Sequence, residues 1–272
     1  FLYGLIAAFT IGLGDLLAAA ISRRAGVYRV LLSTHVVAVV LSTIYLPFAF
    51  DFSGVSLGDW RDLFLLSILA IVTLTALYKA LQIGPVAVVS PIVATPVVAI
   101  LLAVVVGGER PTTGQVISIA ITATGIAMTS VDTRELHSGR HFISAGVLLA
   151  FATMLGGGIW VYRIGSLSQK LGWFMPVYLN KVITLAIIAP IQMRGRMWKW
   201  QGLTVRTGLM VVLLGVLEMA ALFAFARGTE IGTISIVAAT FSAYPIVPIA
   251  GGLLIFRERL ASNQIVGLGI VL

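Results

Sequence analysis

KALQIGPVAVVSPIVATPVVAILLAVVVGGERP, residues 79–111, returns later in the chain as RGTEIGTISIVAATFSAYPIVPIAGGLLIFRERL, residues 227–260. Each copy opens on a cation, Lys79 or Arg227, and five residues later reaches Gly84 or Gly232. An apolar run then carries Pro91 and Pro96 in the first copy and Pro245 and Pro248 in the second. It ends in Gly-Glu-Arg or Arg-Glu-Arg, and Glu109 and Glu258 stand 149 residues apart, as do Pro96 and Pro245. An internal repeat constrains architecture more firmly than an isolated motif. One that recurs inside apolar sequence points to a membrane carrier built from two related halves.

Composition agrees. The chain is 59% hydrophobic and only 10% charged, against roughly 25% charged in ordinary soluble domains. Its mean hydropathy is +1.07. A water-soluble core has no room for that much apolar side chain, so most of it must meet lipid or other membrane helices. There is no cysteine, which excludes a disulfide framework and a thiolate metal site. The net charge of +8 sits in connectors, where it orients membrane helices. No aromatic-plus-basic patch, zinc spacing or Walker-type glycine loop accompanies it, so nucleic acid is not expected as a partner. Phe1 and Leu272 both lie inside apolar stretches, and the chain is expected to continue beyond them. Residues 1–21 are too long for the core of a signal peptide and read as a true span.

A bilayer core about 30 Å thick takes about 20 helical residues. Cut at charges and turn residues, the chain yields ten apolar runs near 1–22, 29–50, 60–79, 85–106, 113–131, 142–163, 173–193, 206–226, 232–256 and 260–272. The charge- and histidine-rich segment 132–141 separates five runs from five. The expectation is therefore an all-α polytopic membrane protein: a first repeat at 1–131, a connecting loop at 132–141 and a second repeat at 142–272. Gly4 to Phe9 parallels Gly146 to Phe151, and Gly26 parallels Gly172, which sets His35 opposite Lys181. Because five is odd, the second repeat must lie upside down relative to the first. Such a pair encloses a central cavity near the midplane.

These motifs resemble the EamA family of the drug/metabolite transporter superfamily over the whole chain. The most specific parts are ALYKALQIGPVAVVSPI running into GGERP, the closing FRER of the second copy, and GLGDLLAAAISRR in the first span. The resemblance implies ten helices in two inverted halves around a cavity that moves small metabolites, amino acids among them. It also implies a prokaryotic plasma (inner) membrane location and cytoplasmic termini. The charge count opposes the last point: connectors on one side hold twelve Lys and Arg, those on the other five. The positive-inside rule then leaves both termini outside.

An ionisable side chain within a span costs at least about 2.5–3.5 kcal/mol to insert, so each one needs a reason. Asp15, His35, Lys181 and Glu218 meet this description. Glu218, halfway along its run, is the deepest, and a carboxylate held out of water there can exchange protons or bind substrate. A structural pair with a neighbouring cation is the alternative. Asp15 binds substrate or ions, or else pairs with Arg23, Arg24 or His35. His35 and Lys181, at equivalent positions, would present two cationic groups to an anionic moiety. His35 would otherwise bond to Thr34 or Ser33, and Lys181 would snorkel to the interface.

Pro91, Pro96, Pro245 and Pro248 are expected to break the fourth and ninth helices at the cavity, because irregular backbone at membrane depth is tolerated only where it faces protein or a cavity. Trp160, Tyr162 and Tyr244 are candidates for a vestibule, although Trp160 and Tyr162, near the end of their run, read more strongly as part of the interfacial belt. Lys79, Arg227, Glu109 and Glu258 are read as helix caps or gate ion pairs. Gly156-Gly157-Gly158 is read as a close helix contact rather than a phosphate loop. Trp60, Trp173, Trp198 and Trp200 read as an interfacial belt.

The function these readings support is secondary transport of a small metabolite, an amino acid or similar zwitterion, by alternating access; proton coupling and facilitative carriage both fit. A channel or a non-transporting scaffold is the alternative. An intramembrane enzyme fits least, since there is no cysteine, no HExxH and no facing aspartate pair. Partners are a small-molecule substrate and membrane lipid, with no cofactor and no metal.

Overall fold

The computed structural model describes residues 1–49, 54–94, 97–108, 112–130, 144–194, 204–241, 243–258 and 260–271. Every regular element among them is an α-helix: α1 (Leu2–Ala25), α2 (Val27–Ala49), α3 (Leu57–Ile83), α4 (Val86–Val93), α5 (Val97–Val105), α6 (Thr113–Ser130), α7 (Ala145–Leu171), α8 (Phe174–Arg194), α9 (Val205–Ile231), α10 (Ile234–Phe241), α11 (Ile246–Leu254) and α12 (Ser262–Val271). The pairs α4–α5 and α10–α11 each make one broken span. Eight spans among the described residues are long and apolar enough to cross a membrane, rather than the expected ten. The two that fall short are α6, whose 18 residues are interrupted by Gln115 and several threonines, and α12, which has 10 residues.

Polar caps carry helices past the ends of the apolar runs. α3 begins at Leu57 because Ser56 and Asp59 form a reciprocal capping box: the Ser56 amide donates to Asp59 Oδ2 at 2.8 Å and the Asp59 amide to Ser56 Oγ at 3.3 Å. Thr204 starts α9 with a simple side-chain cap, its hydroxyl accepting from the Thr207 amide at 3.3 Å. Gly26 and Gly172, paired in sequence, end α1 and α7 with φ of 85° and 79°. Both are left-handed conformations that a side chain would resist.

Within a bilayer, helices associate by close packing rather than by hydrophobic transfer, so small residues decide where they touch. A Cβ on Gly156 would stand 2.5 Å from Thr73 Oγ1, and one on Gly158 2.5 Å from Val98 Cβ. These glycines draw α7 onto α3 and α5. α7 lies along α3 as α1 lies along α9; α2 packs on α8, α6 on α12, α4 on α11 and α5 on α10. At one end Lys170 Nζ pairs with Asp59 at 2.6 Å, tying the end of α7 to the start of α3. At the other end the backbones of Gly84 and Gly146 meet. α3 and α7 are therefore antiparallel.

Candidate functional site

α1, α2, α3, α7, α8 and α9, with the two helix breaks, enclose a cavity of about 170 Å³. A single water needs about 10–15 Å³ of such space, so a small metabolite fits. Asp15 from α1, His35 from α2, Lys181 from α8 and Glu218 from α9 all line it, and each is no more than 5% exposed.

Their bonding is incomplete. The Tyr78 hydroxyl donates to Glu218 Oε1. Glu218 Oε2 lies 3.8 Å from Lys181 Nζ, within ion-pair range but beyond a hydrogen bond. His35 Nδ1 donates to the Leu31 carbonyl at 2.8 Å, and Nε2 is buried. Asp15 Oδ2, His35 Nε2 and Glu218 Oε2 have no hydrogen-bond partner among the described residues. A buried polar atom left unmatched costs about 1–3 kcal/mol, so a ligand that satisfies these atoms gains affinity by doing so.

The alternatives raised by sequence resolve on geometry. Arg23 does not reach for Asp15; it binds the carbonyls of Leu81 and Gly84, at 3.3 and 3.0 Å, and approaches Glu258. Lys181 does not snorkel, because it is buried beside Glu218. His35 uses a backbone carbonyl rather than the hydroxyl of Thr34 or Ser33.

The walls are apolar and aromatic. The Trp160 indole N–H donates to Asn180 Oδ1 at 3.2 Å, and Asn180 Nδ2 donates to Ser67 Oγ at 3.0 Å. That relay fixes the ring against the cavity. The breaks supply Val93 and Ala94 on one side and Phe241 and Tyr244 on the other. The Tyr244 hydroxyl donates to the Ser90 carbonyl at 3.4 Å.

Several expected positions lie elsewhere. Tyr162 is buried among Ala99, Ala103 and Ile234, outside the lining. Pro91 lies inside α4, and Pro248 lies in the first turn of α11, where no amide is required. Pro245 N-caps α11. The breaks follow Val93 and Phe241, so neither Pro91 nor Pro248 marks one. Pro96 and Glu109 lie outside the described residues. Lys79 is exposed and bonds Gln82 at 2.8 Å, and Arg227 pairs with Glu230 at 2.5 Å; neither reaches the cavity. Glu258 does not cap the helix it follows but the start of α4. Tyr78 and Asn180 escaped the sequence reading, because a neutral polar residue costs less to insert than a charged one and so stands out less. Their one signal is adjacency to Lys79 and Lys181. Among the described residues, no group of three or more His, Asp or Glu is arranged to hold a metal ion.

The model of the EamA-like transporter family matches residues 1–131. The first half of the chain belongs to the EamA family. This EamA half contributes Asp15, His35 and Tyr78 to the cavity; Lys181 and Glu218 come from the remainder of the chain. A crystal structure of a protein 14% identical aligns at a TM-score of 0.69, covering 98% of this chain and 93% of that one. At that identity the likeness is one of fold. No curated protein matches the chain.

Proposed function

We propose that this chain is a secondary transporter that carries a small zwitterionic metabolite, such as an amino acid, by alternating access of two inverted five-helix halves. The observation that carries the reading is the cavity itself: two carboxylates, a lysine and an imidazole converge at membrane depth with three polar atoms unmatched. Lys181 and His35 suit a substrate carboxylate, and Asp15 suits its ammonium. Trp160, Phe241 and the break residues suit an apolar remainder.

The packing supports the two-halves reading. Exchanging 1–131 with 142–272 maps the α1–α9 contact onto α7–α3, and α4–α7 onto α10–α1. The antiparallel α3–α7 pair supports inversion, with α6 and α12 as the fifth and tenth helices. Glu218, bonded to Tyr78 and close to Lys181, is the group we assign to proton coupling. A prokaryotic plasma membrane is the location that accords with this reading.

Thermal-shift screening of amino acids, nucleosides and vitamins identifies the ligand, and counterflow in liposomes measures its carriage. Across an imposed pH gradient, Glu218→Gln is expected to lose gradient-driven uptake while keeping counterflow. Unchanged gradient-driven uptake removes Glu218 as the coupling group.

A further inference from the structure

Glu258 belongs to the second half of the chain, yet both of its carboxylate oxygens serve the first. Oε1 accepts the Val86 amide at 2.8 Å and Oε2 the Ala87 amide at 2.9 Å. These are the first two amides of α4. The residue before them, Pro85, offers no side-chain cap. An N-terminal amide pair left unmet is unfavourable, and a carboxylate also meets the positive end of the helix dipole.

Three other features are built around this contact. Arg23 of α1 lies 3.6 Å from Glu258 Oε1, holds the carbonyls at the end of α3, and covers the Phe256 ring at 4.7 Å from its centroid. Gly252 leaves the carboxylate its space: a Cβ there would meet Glu258 Oε2 at 2.6 Å and Ala87 Cβ at 3.0 Å. Arg257, with φ 52°, is the one non-glycine residue with positive φ among the described residues. That left-handed turn costs about 1 kcal/mol or more for a residue with a side chain. It brings the Glu258 amide back onto the Gly252 carbonyl at 3.0 Å and presents the carboxylate to α4.

The contact lies about two turns of α3 beyond the cavity lining. Tyr78 and Leu77 of α3 line the cavity, and Leu81, one turn further on, is fully buried beneath the Arg23 contact. The α3–α4 turn at Gly84 and Pro85, held by Arg23 and Glu258, follows it. We infer that Glu258 is the latch of a gate on this face: it closes the cavity by capping α4 from the other half, and opening here requires its withdrawal. This rests on the alternating-access reading, in which the two halves must part at each face in turn. Arg257 strain is relieved and the α4 cap is lost when the latch opens, so the two conformations stay near balance.

The chain has no cysteine, so Leu77→Cys introduces a single reporter in the cavity. A membrane-impermeant maleimide is applied to the face bearing residues 84–85 in vesicles of defined orientation. Glu258→Ala is expected to label about tenfold faster than its parent, equivalent to about 1.4 kcal/mol, within the range for loss of an N-cap. Gly252→Ala keeps the carboxylate but fills its place, and it is expected to speed labelling likewise. Labelling of folded Glu258→Ala and Gly252→Ala at the rate of their parent overturns the latch. If solute counterflow persists while labelling is unchanged, transport stands and the latch falls. If the variants label faster but no solute is carried, the latch stands as a gate and the transport reading falls.

Discussion

Lys181→Met removes the only lysine among the described residues of the cavity and leaves Glu218, among those residues, with Tyr78 as its close partner. At the 3.8 Å separation of Lys181 Nζ and Glu218 Oε2, the attraction is about 4 kcal/mol for an effective dielectric of about 20. Both side chains are nearly inaccessible, at 6% and 7% exposure, so water does little to screen the remaining charge. Breaking one partner of such a pair costs about 3–5 kcal/mol, whereas replacing both by apolar residues is close to neutral. In a chain of this size, 1 kcal/mol moves Tm by about 2–4 °C. Lys181→Met is therefore expected to melt about 6 °C or more below the parent, and Glu218→Met to fall by a comparable amount. The double variant is expected to recover to within about 4 °C. The assay is thermal unfolding of purified protein in one detergent, run as a double-mutant cycle. Additive single effects, or a Lys181→Met chain that melts with its parent, would refute the coupling of these two residues.

Three further outcomes follow from the same contacts. Tyr78→Phe deletes a hydrogen bond to a charged acceptor and is expected to lower stability by about 1.5–3 kcal/mol, read in the same melting assay. Gly158→Val drives a side chain into Val98 and is expected to cost about 1–3 kcal/mol by overpacking; a stability gain would show that α5 and α7 have room to separate. Lys170→Ala removes the partner of Asp59, but the Lys170 side chain is 53% exposed, so the loss is expected to stay within about 1 kcal/mol, in contrast to Lys181.

The doubled stretch made the helical architecture legible because a repeat of this length constrains where spans begin and turn. Asp15, His35, Lys181 and Glu218 were legible for a different reason: charge at membrane depth is costly enough to need a purpose. What lay beyond sequence was rotation about each helix axis. Trp160 and Tyr162 are two residues apart, which places them on opposed faces of α7, and hydropathy does not say which faces the cavity. Of the prolines, Pro245 stands at the second break, as the N-cap of α11, whereas Pro91 and Pro248 fit within helices. Glu258 was legible as a cap, but not as a cap for a helix in the other half, since that contact exists only after the halves come together.

The most direct test of the central claim, that solute passes through this one cavity by alternating access, is a single Thr73→Cys reporter in the cysteine-free chain. Thr73 lines the cavity on α3 and is 8% exposed. The account predicts labelling by an impermeant thiol reagent from either face of the membrane, slowed from both by the transported solute. Labelling from one face only, indifferent to solute, would contradict it.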